Sequence, residues 1–216
     1  MVRLVVFGRQ GAGKGTQSSR LAAHYGAPHI STGDMLREAA AAGTPIGIEA
    51  KRYMDAGQLL PDEVMLGVVK ERLSQPDVTA NGFLLDGFPR TVGQAEALLD
   101  ITDVDLAVNL EVPEQVVIER ISSRRVCREC GRIYSLAEPP SNDWTCDNCG
   151  GQVVQRPDDT PEAVAKRLAA YQTETIPTVD WFDARGLLVT VDGLGSPDEV
   201  AERLIAAVDA RLAERS

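Results

Sequence analysis

Arg3-Leu-Val-Val-Phe7, followed at once by Gly8-Arg-Gln-Gly11-Ala-Gly13-Lys14-Gly15-Thr16, is the stretch that decides the fold. The first run reads as a short strand, and Gly15 to His24 carries the spacing of an amphipathic helix. Glycines placed between a strand and a helix let backbone N–H groups turn inward around an anion at the helix N-terminus. Lys14 adds a positive charge at that point, between the outer phosphates of a nucleotide. A plain glycine turn before a helix accounts for the glycines but not for the placement of Lys14. Alone, the loop predicts a nucleotide phosphate and nothing more. Gly15 stands where the general pattern puts a magnesium-binding Ser or Thr, and Thr16 comes one residue later.

Outward from the loop, apolar strands alternate with helix-length segments. Phe83 to Asp86, Leu106 to Leu110 and Leu187 to Val191 read as strands, and Pro61 to Leu73, Pro113 to Arg124 and Pro161 to Trp181 as helices. Pro113 and Pro161 lie at helix starts, where a missing N–H costs least. The alternation predicts an α/β three-layer fold with a central parallel sheet covered on both faces. Two segments break the pattern. From Thr32 to Leu60 the chain is too polar for sheet core and is punctuated by Gly43, Gly47 and Gly57, which predicts an inserted helical flap. From Arg125 to Asp159 it carries paired cysteines, Pro139-Pro140, Gly150-Gly151 and short β-prone pieces such as Arg132 to Ser135, which predicts a second insertion. The expected division is a core of residues 1–30, 61–123 and 160–216, a flap of 31–60 and a lid of 124–159.

The composition is ordinary for a globular chain of 216 residues, 44% hydrophobic and 25% charged, so disorder is not expected. No apolar stretch reaches 18 residues and Met1 runs directly into the first strand, from which a cytoplasmic protein without a membrane partner is expected. A net charge of −10 argues against a nucleic-acid surface, so an anionic ligand needs a local basic pocket. All four cysteines fall between Cys127 and Cys149, as Cys127-x2-Cys130 and Cys146-x2-Cys149 with fifteen residues between the pairs. That spacing is a zinc ribbon's; two disulfides are the alternative. Four protein thiolates leave no position for a substrate water, so the zinc is expected to be structural. A ribbon that grips nucleic acid should be basic, yet residues 126–155 hold Arg128 and Arg132 against Glu129, Glu138, Asp143 and Asp147.

The loop, Ser31-Thr32-Gly33-Asp34-Met35-Leu36-Arg37, Asp86-Gly87-Phe88-Pro89-Arg90, Arg120 with Arg124, and Arg156-Pro157-Asp158-Asp159 with Arg167 together resemble the adenylate kinases, a branch of the nucleoside monophosphate kinases. The likeness runs over nearly the whole chain, and five motifs in order are far more specific than any one of them. It implies phosphoryl transfer between ATP and AMP, with ADP as product, magnesium accompanying ATP, and a monomer. Where that family usually has a proline early in the loop, this chain has Arg9-Gln10, expected to alter loop stiffness and not the reaction.

The resemblance also implies roles. Gly11, Ala12, Gly13, Lys14, Gly15 and Thr16 would wrap the ATP phosphates. Arg120 would stack on adenine, and Arg124, the backbone at Ile133 and Tyr134 and the carbonyl of Gly195 would complete the donor side. On the acceptor side it implies Thr32, Arg37, the backbone at Gln58, Leu59 and Leu60, then Gly87, Phe88, Pro89, Arg90, Arg156 and Arg167. Gln94, with an amide donor and acceptor, would read the adenine edge. Asp86 would orient magnesium through water, while Lys14, Arg90, Arg124, Arg156 and Arg167 would meet the transferred group. Taken singly, each arginine reads equally as a solvated helix charge, and Asp158 and Asp159 as hinge or cap residues. His24 and His29 read as surface or packing residues, and Trp144 and Trp181 as packing. The rival functions are transfer to UMP or CMP or from GTP, and a phosphate-loop or zinc-ribbon binding protein without turnover.

Overall fold

The run after Met1 forms β1 (Val2–Gly8), and its side chains divide by alternation: Val5 and Phe7 face one core, Leu4 and Val6 the other. The computed structural model describes residues 1–156 and 159–215. Pro157 and Asp158, part of the motif quoted above, lie outside the described residues. β1 leads into α1 (Lys14–Tyr25), β2 (His29–Ser31), α2 (Thr32–Ala41), α3 (Pro45–Asp55), α4 (Asp62–Leu73), α5 (Pro76–Asn81) and β3 (Gly82–Asp86). There follow α6 (Val92–Ile101), β4 (Leu106–Glu111) and α7 (Glu114–Ser123). Next come β5 (Arg124–Cys127), β6 (Ile133–Ser135) and β7 (Val153–Val154), then α8 (Pro161–Ala170), α9 (Ile176–Asp183), β8 (Leu188–Asp192) and α10 (Pro197–Arg215).

The main sheet has the order β2-β3-β1-β4-β8, and every pairing in it is parallel. Both faces are covered, as the alternation of strands and helices requires. Phe83, Leu85 and Ala107 pack with α4, α6 and α9 residues such as Val69, Leu98 and Phe182. Leu84, Leu106 and Val108 pack on the other face with Leu21, Val117, Ile121 and Leu204. Among the described residues no helix is long and apolar enough to cross a membrane.

Several local expectations are corrected. β2, only three residues long, carries too little pattern to be read, yet its pairing of Ser31 with Asp86 brings two motifs side by side. Gly43 and Gly57 do turn the chain, with φ of 68° each. Gly47 instead lies inside α3, where an added Cβ would stand 2.1 Å from the backbone carbon of Ala39, so it lets α3 cross against α2. The expected helix from Pro161 to Trp181 is broken by one π-helical turn at Tyr171–Thr175. Pro177 lies in the first turn of α9 just beyond it, and lacks the N–H that a continuous α-helix would use. The helix from Pro113 ends at Ser123, because Arg124 is already extended (φ −63°, ψ 138°) and opens the antiparallel sheet β6-β5-β7.

Candidate active site

At the carboxyl ends of β1, β2 and β3 lies a cleft of about 1920 Å³, roughly twice the upper end of an ordinary ligand pocket and so large enough for two nucleotides. Its floor is the glycine loop. Gly11 and Gly13 take φ of 82° and 99°, conformations closed to other residues without strain, and the turn they make feeds α1. Lys14 donates from Nζ to the carbonyls of Gly8 (2.6 Å) and Arg9 (3.0 Å). Its pKa falls from 10.5 to about 8, first through burial and then through the charges of Arg90, Arg124 and Arg167, with Asp86 opposing. Three guanidiniums, from the β3–α6 turn, the start of β5 and α8, thus line the same cleft as the lysine of the loop and act on its charge.

Arg90 is held by its Nε donating to the Gly87 carbonyl (2.7 Å) and by its backbone N–H donating to Gln94 Oε1 (2.8 Å). Burial lowers its pKa to about 10, aided by Arg167 and Arg37 and opposed by Asp86, so it remains a cation at neutral pH. Gln94 is 2% exposed, and its Nε2 donates to Asp62 Oδ1 (2.7 Å). Arg120 donates to the Ala12 carbonyl (3.2 Å), and both its terminal nitrogens lie within 3.5 Å of the Gly193 carbonyl, between the loop and the β8–α10 turn that carries Gly195. Asp86 ends β3, is 8% exposed, and its Oδ2 would lie 3.9 Å from a Cβ built on Gly15. The same Cβ position is 3.9 Å from Ile133 of β6, which places the small sheet over the loop.

All the nucleotide candidates named from the sequence line this cleft except Phe88. Its side chain is 1% exposed and belongs to the core around Val5 and Leu85. Sequence reasoning missed the carboxylates that hold the cations in place. Asp34 accepts from Arg37 at 2.5 Å and stands 3.9 Å from Arg156. Burial raises its pKa, but the Arg37 charge and hydrogen bond, Ser31 and Arg156 outweigh that and lower it overall. Asp159 is fully buried; its Oδ2 accepts from Arg124 Nε at 2.9 Å, its Oδ1 accepts from Arg124 again, and Arg167 is 4.0 Å away. It is not the helix cap, a place taken by Thr160, whose side chain accepts from the Ala163 N–H.

The histidines divide. His24 is exposed and packs edge-on against Tyr25. His29, expected at the surface or in packing, lines the cleft instead, with Nε2 at 3.6 Å from Asp86 Oδ2 and Nδ1 at 3.4 Å from Ser19 Oγ. Its carboxylate neighbour is supplied by β3 through the β2–β3 pairing and could not be found from local sequence. Trp144 packs with Cys127, Tyr134, Cys146 and Val153, and Trp181 against the α9 side of the main core, as expected.

The sulfurs of Cys127, Cys130, Cys146 and Cys149 all lie within 4.8 Å of one another, and the thiols are free. The separations of Cys127 from Cys149 (3.5 Å) and of Cys130 from Cys146 (3.6 Å) are too long for a disulfide. They are close to the roughly 3.8 Å edge of a tetrahedron with 2.3 Å zinc–sulfur bonds, so this donor set fits zinc. Tyr134 donates from its hydroxyl to Cys146 Sγ (3.3 Å) and accepts from the Asp147 N–H (2.9 Å).

A parallel sheet with a phosphate-binding loop at the end of its first strand, arginines converging on that loop and a second small sheet above it defines a P-loop phosphotransferase. The adenylate kinase family model matches residues 6–187. The adenylate kinase of Thermodesulfovibrio yellowstonii is 50% identical over 214 residues, which cover 96% of this chain and 99% of that one. Those of Archaeoglobus fulgidus and Salinispora tropica are each 48% identical, over 96% of this chain and 98% of theirs. The chain belongs to the adenylate kinase family.

Proposed function

We propose that this enzyme catalyses reversible phosphoryl transfer from ATP to AMP, giving two ADP, with the ATP side bounded by the glycine loop and β6 and the AMP side by α2, α3 and the β3–α6 turn. The observation that carries the reading is that Arg90, Arg124 and Arg167 share one cleft with Lys14 and act on its charge, at a loop whose Gly11 and Gly13 take the positive φ of a tight turn. Two polyanions can meet only where fixed positive charge offsets their repulsion, and charge aimed at the moving group is what accelerates its transfer. The acceptor needs no base, because a phosphate monoester is already largely a dianion at neutral pH.

The residues divide the work. N–H groups of Gly11 to Thr16 hold the donor phosphates, and Lys14 exchanges its two loop carbonyls for them. Arg37 and Arg156 leave Asp34, and Arg124 and Arg167 share Asp159 with the incoming phosphates. Thr32, the backbone of Gln58 to Leu60, Gly87, Pro89, Arg90 and Gln94 form the AMP subsite, with Phe88 anchoring that turn in the core, and Arg120, Ile133, Tyr134 and Gly195 form that of the ATP base. Magnesium, when bound with ATP, would supply positive charge that offsets the repulsion between the two nucleotides. Asp86 fits as its anchor, since it sets a hard oxygen donor beside Gly15 at the loop. Residues 31–60 act as a flap and 124–159 as a lid over a core made of the rest, closing to exclude water. The tetrathiolate of the lid holds zinc and takes no part in the chemistry. The reading also carries a monomer in the cytoplasm, with no nucleic-acid or membrane partner.

Incubation of the purified protein with ATP, magnesium and each nucleoside monophosphate in turn, with products separated chromatographically, tests the assignment. ADP formed with AMP and not with CMP or UMP is expected. Equal use of CMP or UMP would replace the acceptor, and no product from any of them would overturn the enzyme reading.

A further inference from the structure

We propose that Gln10 is a positioning residue: it ties the phosphate loop to the buried carboxylate that holds Arg124 and Arg167, and so fixes both guanidiniums relative to the loop. Gln10 Nε2 donates to Asp159 Oδ1 at 3.3 Å. The same oxygen accepts from Arg124 and lies 4.0 Å from Arg167. Three parts of the chain that are distant in sequence therefore meet on one atom: the loop through Gln10, the start of β5 through Arg124, and α8 through Arg167. Asp159 has no exposed side-chain surface, so water does not substitute easily for a lost donor, and a shift of any partner is felt by the others.

The orientation of the Gln10 amide shows which end matters. Its Oε1 is buried and accepts no hydrogen bond from the described residues, so the amide is placed for its donor side. The reverse orientation would set Oε1 against a carboxylate oxygen. Neighbouring Arg9 reaches the Val112 carbonyl (3.4 Å) and Gln172 (3.5 Å), the latter just beyond the other end of α8. Neither contact of Arg9 involves Asp159, so the tie between the loop and that carboxylate rests on Gln10. Arg124 and Arg167 are two of the charges that Lys14 senses, so their placement decides how much positive potential meets the moving phosphoryl group.

This inference rests on the reading that Arg124 and Arg167 act on that group, which Arg167→Ala tests separately: full turnover in that variant sinks the site reading and leaves nothing for Gln10 to position. With that variant impaired, Gln10→Leu, which keeps the bulk and removes the donor, is expected to lower kcat about 10-fold, as loss of one hydrogen bond to a charged group would. KM for AMP should stay within about two-fold and the circular dichroism should be unchanged. Gln10→Asn, one methylene too short to reach Asp159, should behave like the leucine variant. The decisive measurement is a double-mutant cycle: in an Asp159→Asn background Gln10→Leu should cost less than about two-fold. If Asp159→Asn does not fold, the cycle is run with Arg124→Lys, which removes the guanidinium fork. A fall in kcat of the same size in both backgrounds would show that Gln10 acts through the loop's own conformation, and no fall in the wild-type background would show that it positions nothing; either overturns the proposal.

Discussion

Replacing Lys14 by methionine should make the ligand-free protein relatively more stable at neutral pH while removing its activity. In the empty cleft the ammonium is desolvated and faces Arg90, Arg124 and Arg167, with Asp86 as partial compensation, which brings its pKa from 10.5 to about 8. At about 1.4 kcal/mol per decade that fall is worth about 3 kcal/mol, and solvent in the cleft screens part of it, leaving about 2 kcal/mol. The sign follows from linkage. The folded pKa lies below the unfolded one, so the cost is complete below pH 8 and disappears as pH rises toward 10.5, a window in which the unfolded chain binds more protons. The neutral amine still has two hydrogens for the Gly8 and Arg9 carbonyls, so the pH-dependent part isolates the charge. Thermal midpoints of wild type and Lys14→Met should be measured from pH 7 to 10 without nucleotide. The variant should lose ground to wild type by about 4–8 °C across that range, at roughly 2–4 °C per kcal/mol for a chain of this size. Transfer should be about 100- to 1,000-fold slower in the variant. Two midpoint curves that run parallel would refute the electrostatic argument, whatever the activity.

Gln94→Ala should weaken AMP use while leaving ATP affinity nearly intact, since the contacts it gives up, with the Arg90 N–H and Asp62 Oδ1, lie on the acceptor side; an unchanged preference for AMP over CMP and UMP would remove Gln94 from the subsite. Gly47→Ala forces α2 and α3 apart, because its Cβ would meet Ala39 backbone at 2.1 Å, and should cost about 1–3 kcal/mol with a matching drop in thermal midpoint; a midpoint equal to wild type would contradict the close crossing. Metal analysis of protein purified under reducing conditions should find one zinc per chain, and its removal should melt the small sheet around Val126, Tyr134 and Val153 before the main sheet. Protein without zinc, or turnover abolished in a still-folded lid, would end the purely structural assignment.

What could be read from the sequence was what repeats at short range. Alternation in β1 and β3, the loop glycines and the Cys-x2-Cys pairs each lie within one element or turn, so composition and spacing were enough to find them. The three-residue strand β2 was invisible because its stability comes from pairing with β3 and not from its own pattern. The π turn at Tyr171–Thr175 has one visible signal, Pro177, inside a run whose apolar spacing is otherwise helical. Gly47 looks like a break in the sequence because a glycine needed for close packing and a glycine required for a turn look alike there.

The cations of the site were legible and their counterions were not, and the difference has a physical origin. The arginines that line the cleft are recognised by their place in ordered motifs, but the carboxylates that pair with them are chosen by tertiary proximity. Asp34 could have been found, being three residues before Arg37 on one helical face. Asp159 meets Arg124 across 35 residues and the loop across 149, distances at which no periodicity helps. A chain of net charge −10 that must bind two polyanions has to keep its positive charge concentrated without letting it repel itself apart. Asp34 stands within ion-pair distance of Arg37 and Arg156 and Asp159 within ion-pair distance of Arg124 and Arg167, which offsets that repulsion and fixes where the guanidiniums lie. Neutralising either carboxylate therefore acts in two opposed ways: it frees the guanidiniums for the ligand and it removes what aims them. Because Asp159 is buried and Asp34 is half exposed, loss of aim should dominate at the first and release at the second.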